Sequence, residues 1–230
     1  MGIRGRTGVK AGDIAKYRSS LPQADSIWNP QYDYVAYPNA GTTQLSFFTT
    51  PQGQGTTSAP GGSGSKTIQD TNLTTAGMLP LGNRFLVLGI EVEFWPGNTP
   101  GLRLAAVPTD AQFARNTDDV YTLLKSGILT FSIQNRIFVQ DGPLMKFPTQ
   151  TRLAGFATYN QNDSTAATIG FGQIEYAAGI GASYDIVPVY IESTQGFTVT
   201  INWPGVVALP SATDGRIGVR LNGKLVRNAQ

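Results

Sequence analysis

Glu91 and Glu93 are the residues of this chain that most nearly form a catalytic pair. They stand two apart in RFLVLGIEVEFW, whose alternation predicts a long strand over Arg84–Trp95 bent at Gly89. Both carboxylates then point to one face, opposite Ile90, Val92 and Phe94. Trp95 falls on the carboxylates' side, where an aromatic ring beside two acids could stack on a sugar while the acids cleave it. The same pattern also describes the solvated or subunit-facing side of a sandwich. Acids on one strand sit beside each other, not across a bond to be broken.

The other chemical patterns are weaker. Pro60-Gly61-Gly62-Ser63-Gly64-Ser65-Lys66-Thr67 imitates a phosphate-binding loop, but Ser65 stands where the glycine before the lysine belongs, Pro60 replaces the first glycine, and no helical pattern follows. Asp118-Asp119 reads as the acidic first turn of a helix, not as a metal site. Asn160-Gln161-Asn162-Asp163 lacks the alternating oxygen ligands and closing Glu of a calcium loop. With no His and no Cys, imidazole-based triads, thiol nucleophiles, disulfides and His-ligated metals are excluded. The expectation is a protein that is not an enzyme, with no catalytic, cofactor-binding or metal-binding residues.

Charge is scarce and unevenly placed. Only 14% of residues are charged, so the surface must be covered by neutral polar side chains or by neighbouring protein. The net charge is +2. In residues 1–18, Arg4, Arg6, Lys10, Lys16 and Arg18 stand against Asp13 alone. Arg216, Arg220, Lys224 and Arg227 close the chain with no acid among them. A basic segment with glycines at 2, 5, 8 and 12 can contact phosphate oxygens without reading bases, so Arg4, Arg6, Lys10, Lys16, Arg18, Arg216, Arg220 and Arg227 are the candidate nucleic-acid or interior-facing residues. Trp28, Tyr32, Tyr34 and Trp95, which flank strand ends or turns, are the candidate subunit contacts. No signal or membrane-spanning segment is read, so the protein is expected to be made in a cytoplasm.

These residues need a frame to hold them. Residues 1–30 read as a flexible basic arm, with a short helix predicted at Asp13–Ser19, and residues 31–230 as one domain. Strands are predicted at Tyr32–Tyr37, Leu45–Phe48, Ile128–Ile133, Arg136–Val139, Arg152–Tyr159, Ala167–Tyr176, Ser183–Ile191 and Gly196–Trp203. TPQGQGTTSAPGGSGS over 50–65 reads as a mobile loop. A helix is predicted at Thr117–Ser126, capped by Thr117 and ended by Gly127, with Val120, Leu123 and Leu124 as its apolar stripe and a weaker turn at Asp110–Arg115. In IGVRLNGKLVR, Asn222-Gly223 predicts a hairpin that puts Ile217, Val219 and Val226 on one face and Arg216, Arg220 and Arg227 on the other. The fold class expected is all-β: an antiparallel β-sandwich of jelly-roll type, a single jelly roll, with one or two short helices.

The Gly-rich basic arm at Gly2–Arg18, the helix between strands, the long Thr/Gly/Pro loops and the closing strand pair together make the chain resemble the jelly-roll coat proteins of small icosahedral viruses, most of all tailless bacteriophages. The resemblance implies a major capsid protein that self-assembles, as trimers or pseudo-hexamers, into a shell around the genome or an internal membrane. Its implied partners are copies of itself, other capsid proteins, and non-specific viral nucleic acid or internal membrane. Its implied location is the virion, assembled in the host cytoplasm. From a different class, the alternative is a carbohydrate-binding or glycan-cleaving sandwich built on Glu91, Glu93 and Trp95.

Overall fold

Alternation of apolar and polar side chains, with β-branched and aromatic residues inward, divides the chain into strands that bury one face each. The computed structural model describes residues 24–59, 62–97, 118–149, 152–158, 171–177 and 183–228. Within them lie β1 (Ala24–Trp28), β2 (Gln31–Tyr37), β3 (Gln44–Phe47), β4 (Asn83–Trp95), β5 (Ile128–Ile133), β6 (Arg136–Asp141), β7 (Arg152–Thr158), β8 (Phe171–Ala177), β9 (Tyr184–Glu192), β10 (Phe197–Asn202) and β11 (Gly215–Asn228). A helix, α1, covers 118–124, and a short 3-10 turn covers Leu144–Lys146.

The strands form an all-β sandwich of two antiparallel sheets. The larger runs β1-β11-β4-β9, with β2 pairing β11 on the same side as β1. The smaller runs β3-β10-β5-β6, and β7 pairs only with β8. From β2 onward the chain passes from the larger sheet to the smaller and back at nearly every step: β2 to β3, β3 to β4, β4 to β5, β9 to β10 and β10 to β11. The hairpin β5–β6 is the exception within the sandwich, and it turns at Gln134 in the left-handed region.

Between the sheets lie Phe85, Ile90, Val92, Ile217, Val219 and Leu221 from one side, and Phe47, Leu129, Phe131, Phe197, Val199 and Ile201 from the other. Tyr37 fills one end, edge-on to both Phe94 and Trp203 and donating its hydroxyl to the Val207 carbonyl at 2.6 Å. Leu123 of α1 is buried in the same core, with Val120 and Leu124 packed against it, as the predicted stripe requires. Gly127, at φ +90°, follows the helix end. Thr117 and the predicted helical segments at 13–19 and 110–115 lie outside the described residues.

Four expectations are corrected. Asn222-Gly223 is not a turn: residues 215–228 form one strand, held by β4 along one edge and by β2 and β1 along the other. Pairing on both sides outweighs the local turn preference, and Gly223 serves close approach instead, since a Cβ there would lie 1.9 Å from the Leu86 carbonyl oxygen. Without the turn, strict alternation moves Val226 away from Ile217 and Val219, and separates Arg227 from the face of Arg216 and Arg220. The described part of 50–65 is not a loose loop. Gln52 donates to Leu73 O, Gly53 to Lys66 O, Thr57 to Gly64 O, and Ser58 is fully buried. Finally, Ala24–Trp28, assigned above to the arm, is a strand of the larger sheet. The bend expected at Gly89 is present as a register shift between Val87 and Gly89 opposite β9.

Candidate functional site

Register brings three separately noticed groups of residues together on the outer face of the larger sheet. β11 is the centre of the face. Its Arg216 stands between Ala36 of β2 and Trp95 of β4, Gly218 between Tyr34 and Glu93, and Arg220 between Tyr32 and Glu91. The aromatic pair, the acidic pair and the basic pair therefore interleave.

Gly218 decides the geometry. A Cβ there would lie 2.1 Å from the Tyr34 ring, so only glycine lets that ring lie across β11. The Tyr34 hydroxyl then donates to Glu93 Oε2 at 2.6 Å. The Arg216 guanidinium sits 4.1 Å above the Tyr34 ring and donates to the Gln69 carbonyl, with Asp70 at 3.8 Å. Arg220 lies 3.7 Å from Glu93, and Asn222 donates its amide to Glu91, whose side chain is buried. Burial, and then Glu93, push the Tyr34 hydroxyl up to about 12, so it is a neutral donor at physiological pH. Burial alone would weaken the charge of Arg220, but the Tyr34 hydroxyl, Glu93 and Glu91 outweigh it and raise its pKa.

Beneath this face a second cluster fixes the segment between β3 and β4. Asp33 points inward from β2 with no solvent exposure, and Lys66, 5% exposed, meets its Oδ1 at 2.6 Å. The other oxygen accepts the Phe48 N–H at 2.6 Å, holding Phe48 in the left-handed backbone region at φ +65°. Burial pushes the Asp33 carboxyl up, opposed by Lys66 and by hydrogen bonds from Phe48 and Thr71. Asp70 anchors the outer part of the segment, accepting from the amide and hydroxyl of Ser58 and from the amide of Thr67. Burial works against its charge, yet these donors from Ser58, Thr67 and Thr57 hold the carboxyl below its ordinary value.

The arrangement is charge-compensated. Glu93 is engaged by a phenol and a guanidinium, Glu91 by an amide, and the two acids lie side by side on β4. Arg216 and Arg220 are bound by groups of their own chain, and Arg227 meets Asp25 at 2.6 Å. Tyr34 is buried within the network, while Trp28 is 54% exposed beside the sheet edge. Arg4, Arg6, Lys10, Lys16 and Arg18 lie outside the described residues. Ala24, where the described chain begins, is paired with Asn228, where β11 ends, so both basic ends of the sequence meet at one corner of the sandwich.

Sequence reasoning missed the Asp33–Lys66 pair and the anchoring role of Asp70. One signal was present: Lys66 is the lone cation between Arg18 and Arg84, in a neutral polar stretch with no evident use for a charge. Asp119, read as a dipole partner, is buried and accepts the Ser211 N–H at 2.8 Å, tying α1 to the segment between β10 and β11. Among the described residues no cluster of three acidic side chains is placed to hold a metal ion, and no helix is long and apolar enough to cross a membrane. In comparisons with known proteins, no family model, curated protein or solved structure matches this chain.

Proposed function

We propose that this chain is a structural virion protein, a major capsid protein whose copies assemble into an icosahedral shell around a genome or an internal membrane. One observation carries the reading: the strand order β2-β11-β4-β9 opposite β3-β10-β5-β6. A jelly roll winds eight strands as two Greek keys into two facing four-stranded sheets, so that successive strands fall mostly on opposite sheets. The order and crossings seen here follow that pattern, with β1 added at one edge and β7–β8 inserted before β9.

The outer face of the larger sheet supports the same role. Its acids and arginines are committed to one another, which stiffens a tile and leaves neither acid poised across a substrate bond. The basic residues with no such partners in view are those of the arm, at 4, 6, 10, 16 and 18, and they supply the sequence-independent attraction to phosphates that a packaged genome needs.

Sedimentation velocity of the purified full chain tests the proposal. A coat subunit converts above a threshold concentration into fast-sedimenting closed particles. A single slow monomer up to millimolar concentration, retained on neutral oligosaccharide, contradicts it and favours the glycan-binding alternative.

A further inference from the structure

We infer that the outer face of the smaller sheet is a contact surface for a second copy of this chain. This rests on the coat-protein reading and names the face through which tiles meet.

The two outer faces of the sandwich differ in charge. The larger sheet shows Arg84, Glu93, Glu192, Arg216, Arg220 and Lys224, whereas no outward side chain in the smaller sheet's paired registers carries a charge. A row of neutral polar residues crosses all four strands: Ser46, Thr200, Thr130 and Gln140 stand side by side by register. The Ser132 and Thr198 hydroxyls, 3.1 Å apart, form the next row. Within this field Ile128 and Ile137 are 48% and 55% exposed, two apolar anchors on the same face. Depletion of charge with isolated apolar anchors is the composition of an interface core, not of a free surface.

The occupant follows from complementarity. Hydroxyls and amides both donate and accept, so a face made of them is complementary to itself under a two-fold axis without opposed charges to match. The face offers no cation for a phosphate and no carboxylate for a basic partner. Four strands about 4.8 Å apart and about six residues long cover on the order of 400 Å² per copy. Two such faces fall below the roughly 1,200 Å² of a stable isolated dimer. That size suits one of several weak edges made cooperative by closure of a shell.

The chain has no cysteine, so single introduced thiols report contacts cleanly. Thr200→Cys should give a disulfide-linked dimer under mild oxidation at assembling concentration, while Lys224→Cys, on the outer face of the larger sheet, should not. Thr200→Arg should weaken assembly at least tenfold with an unchanged far-ultraviolet spectrum, and Thr200→Val should assemble as the parent does. Gln140→Arg on the edge strand β6 repeats the test should Thr200→Arg fold poorly. If the parent assembles and the arginine variants assemble equally well, or if Lys224→Cys cross-links in preference to Thr200→Cys, this face is not the contact and the coat reading stands. A parent that never assembles overturns both.

Discussion

The ring of Tyr34 lies against the backbone of Gly218, and through that contact its hydroxyl spans β11 to reach Glu93 on β4. Three strands are joined by one side chain because the residue beneath it has none. The same contact places Tyr34 under the Arg216 guanidinium, which is in turn fastened to the segment between β3 and β4 at Gln69.

Gly218→Ala should therefore destabilise the fold by about 1–3 kcal/mol, the usual cost of forcing a methyl into a filled site. Gly205→Ala is the control. Nothing lies within 4 Å of a Cβ at Gly205, so its effect should stay within about 0.5 kcal/mol. Urea unfolding of both variants measures the difference, and equal midpoints would contradict the role given to Gly218.

Tyr34→Phe should cost about 1.5–3 kcal/mol at neutral pH, because it removes a hydrogen bond to a carboxylate. The pH dependence has a definite sign. The folded protein holds the Tyr34 hydroxyl at about 12 against an ordinary 10, so the stabilisation is complete below pH 10 and is lost as pH rises from 10 to about 12. The stability gap between parent and Tyr34→Phe should close over that window. A gap constant from pH 8 to 12 would contradict the assignment.

Lys66→Ala leaves Asp33 buried without its cation and should cost about 3–5 kcal/mol. The loss should be accompanied by proteolytic nicking within 50–75, because the pair clamps that segment to β2. Thermal unfolding combined with limited proteolysis checks both; a loss under 1 kcal/mol with no new cleavage would show that the other hydrogen bonds hold the segment alone.

Asp70 adds an acid limb to the stability curve. Its carboxyl is held below the ordinary value by Ser58, Thr67 and Thr57 against the opposing effect of burial. Its contribution is present above the ordinary Asp range and is lost as pH falls through the folded value. Asp70→Asn should be less stable than the parent at pH 7, and the difference should shrink towards pH 2 in denaturant titrations. A difference that grows on acidification would contradict the sign.

Deleting residues 2–18 should lower the retention of nucleic acid and reduce the slope of log affinity against log salt by about 4, since five basic side chains are removed. β1 begins at Ala24, so the sandwich stays whole. Arg220→Gln should instead lower stability and leave that slope unchanged, because Arg220 is engaged with Glu93. Filter binding over a range of salt concentrations separates the two.

Much of the fold was legible in local pattern. The alternation in RFLVLGIEVEFW, the Gln134-Asn135 turn between two short strands, and the Val120, Leu123, Leu124 stripe all recur as β4, the β5–β6 hairpin and α1. What local pattern could not carry was pairing at long range. Asn222-Gly223 has hairpin chemistry, but its partners are Gly89 and Val87, more than a hundred residues earlier, and they keep it extended. Asp33 and Lys66 were each visible as isolated charges, and their meeting depends on the path between β3 and β4, which composition alone described as loose. For the same reason the acidic, aromatic and basic groups seemed independent until register interleaved them on one sheet face.

Negative-stain electron microscopy of the purified full chain at assembling concentration is the most direct measurement. Closed shells of uniform diameter, absent from the same sample after dilution below the threshold, are the expected result. A field empty of particles at every concentration, from protein that is folded and β-rich by circular dichroism, would contradict the proposal that copies of this chain build a coat.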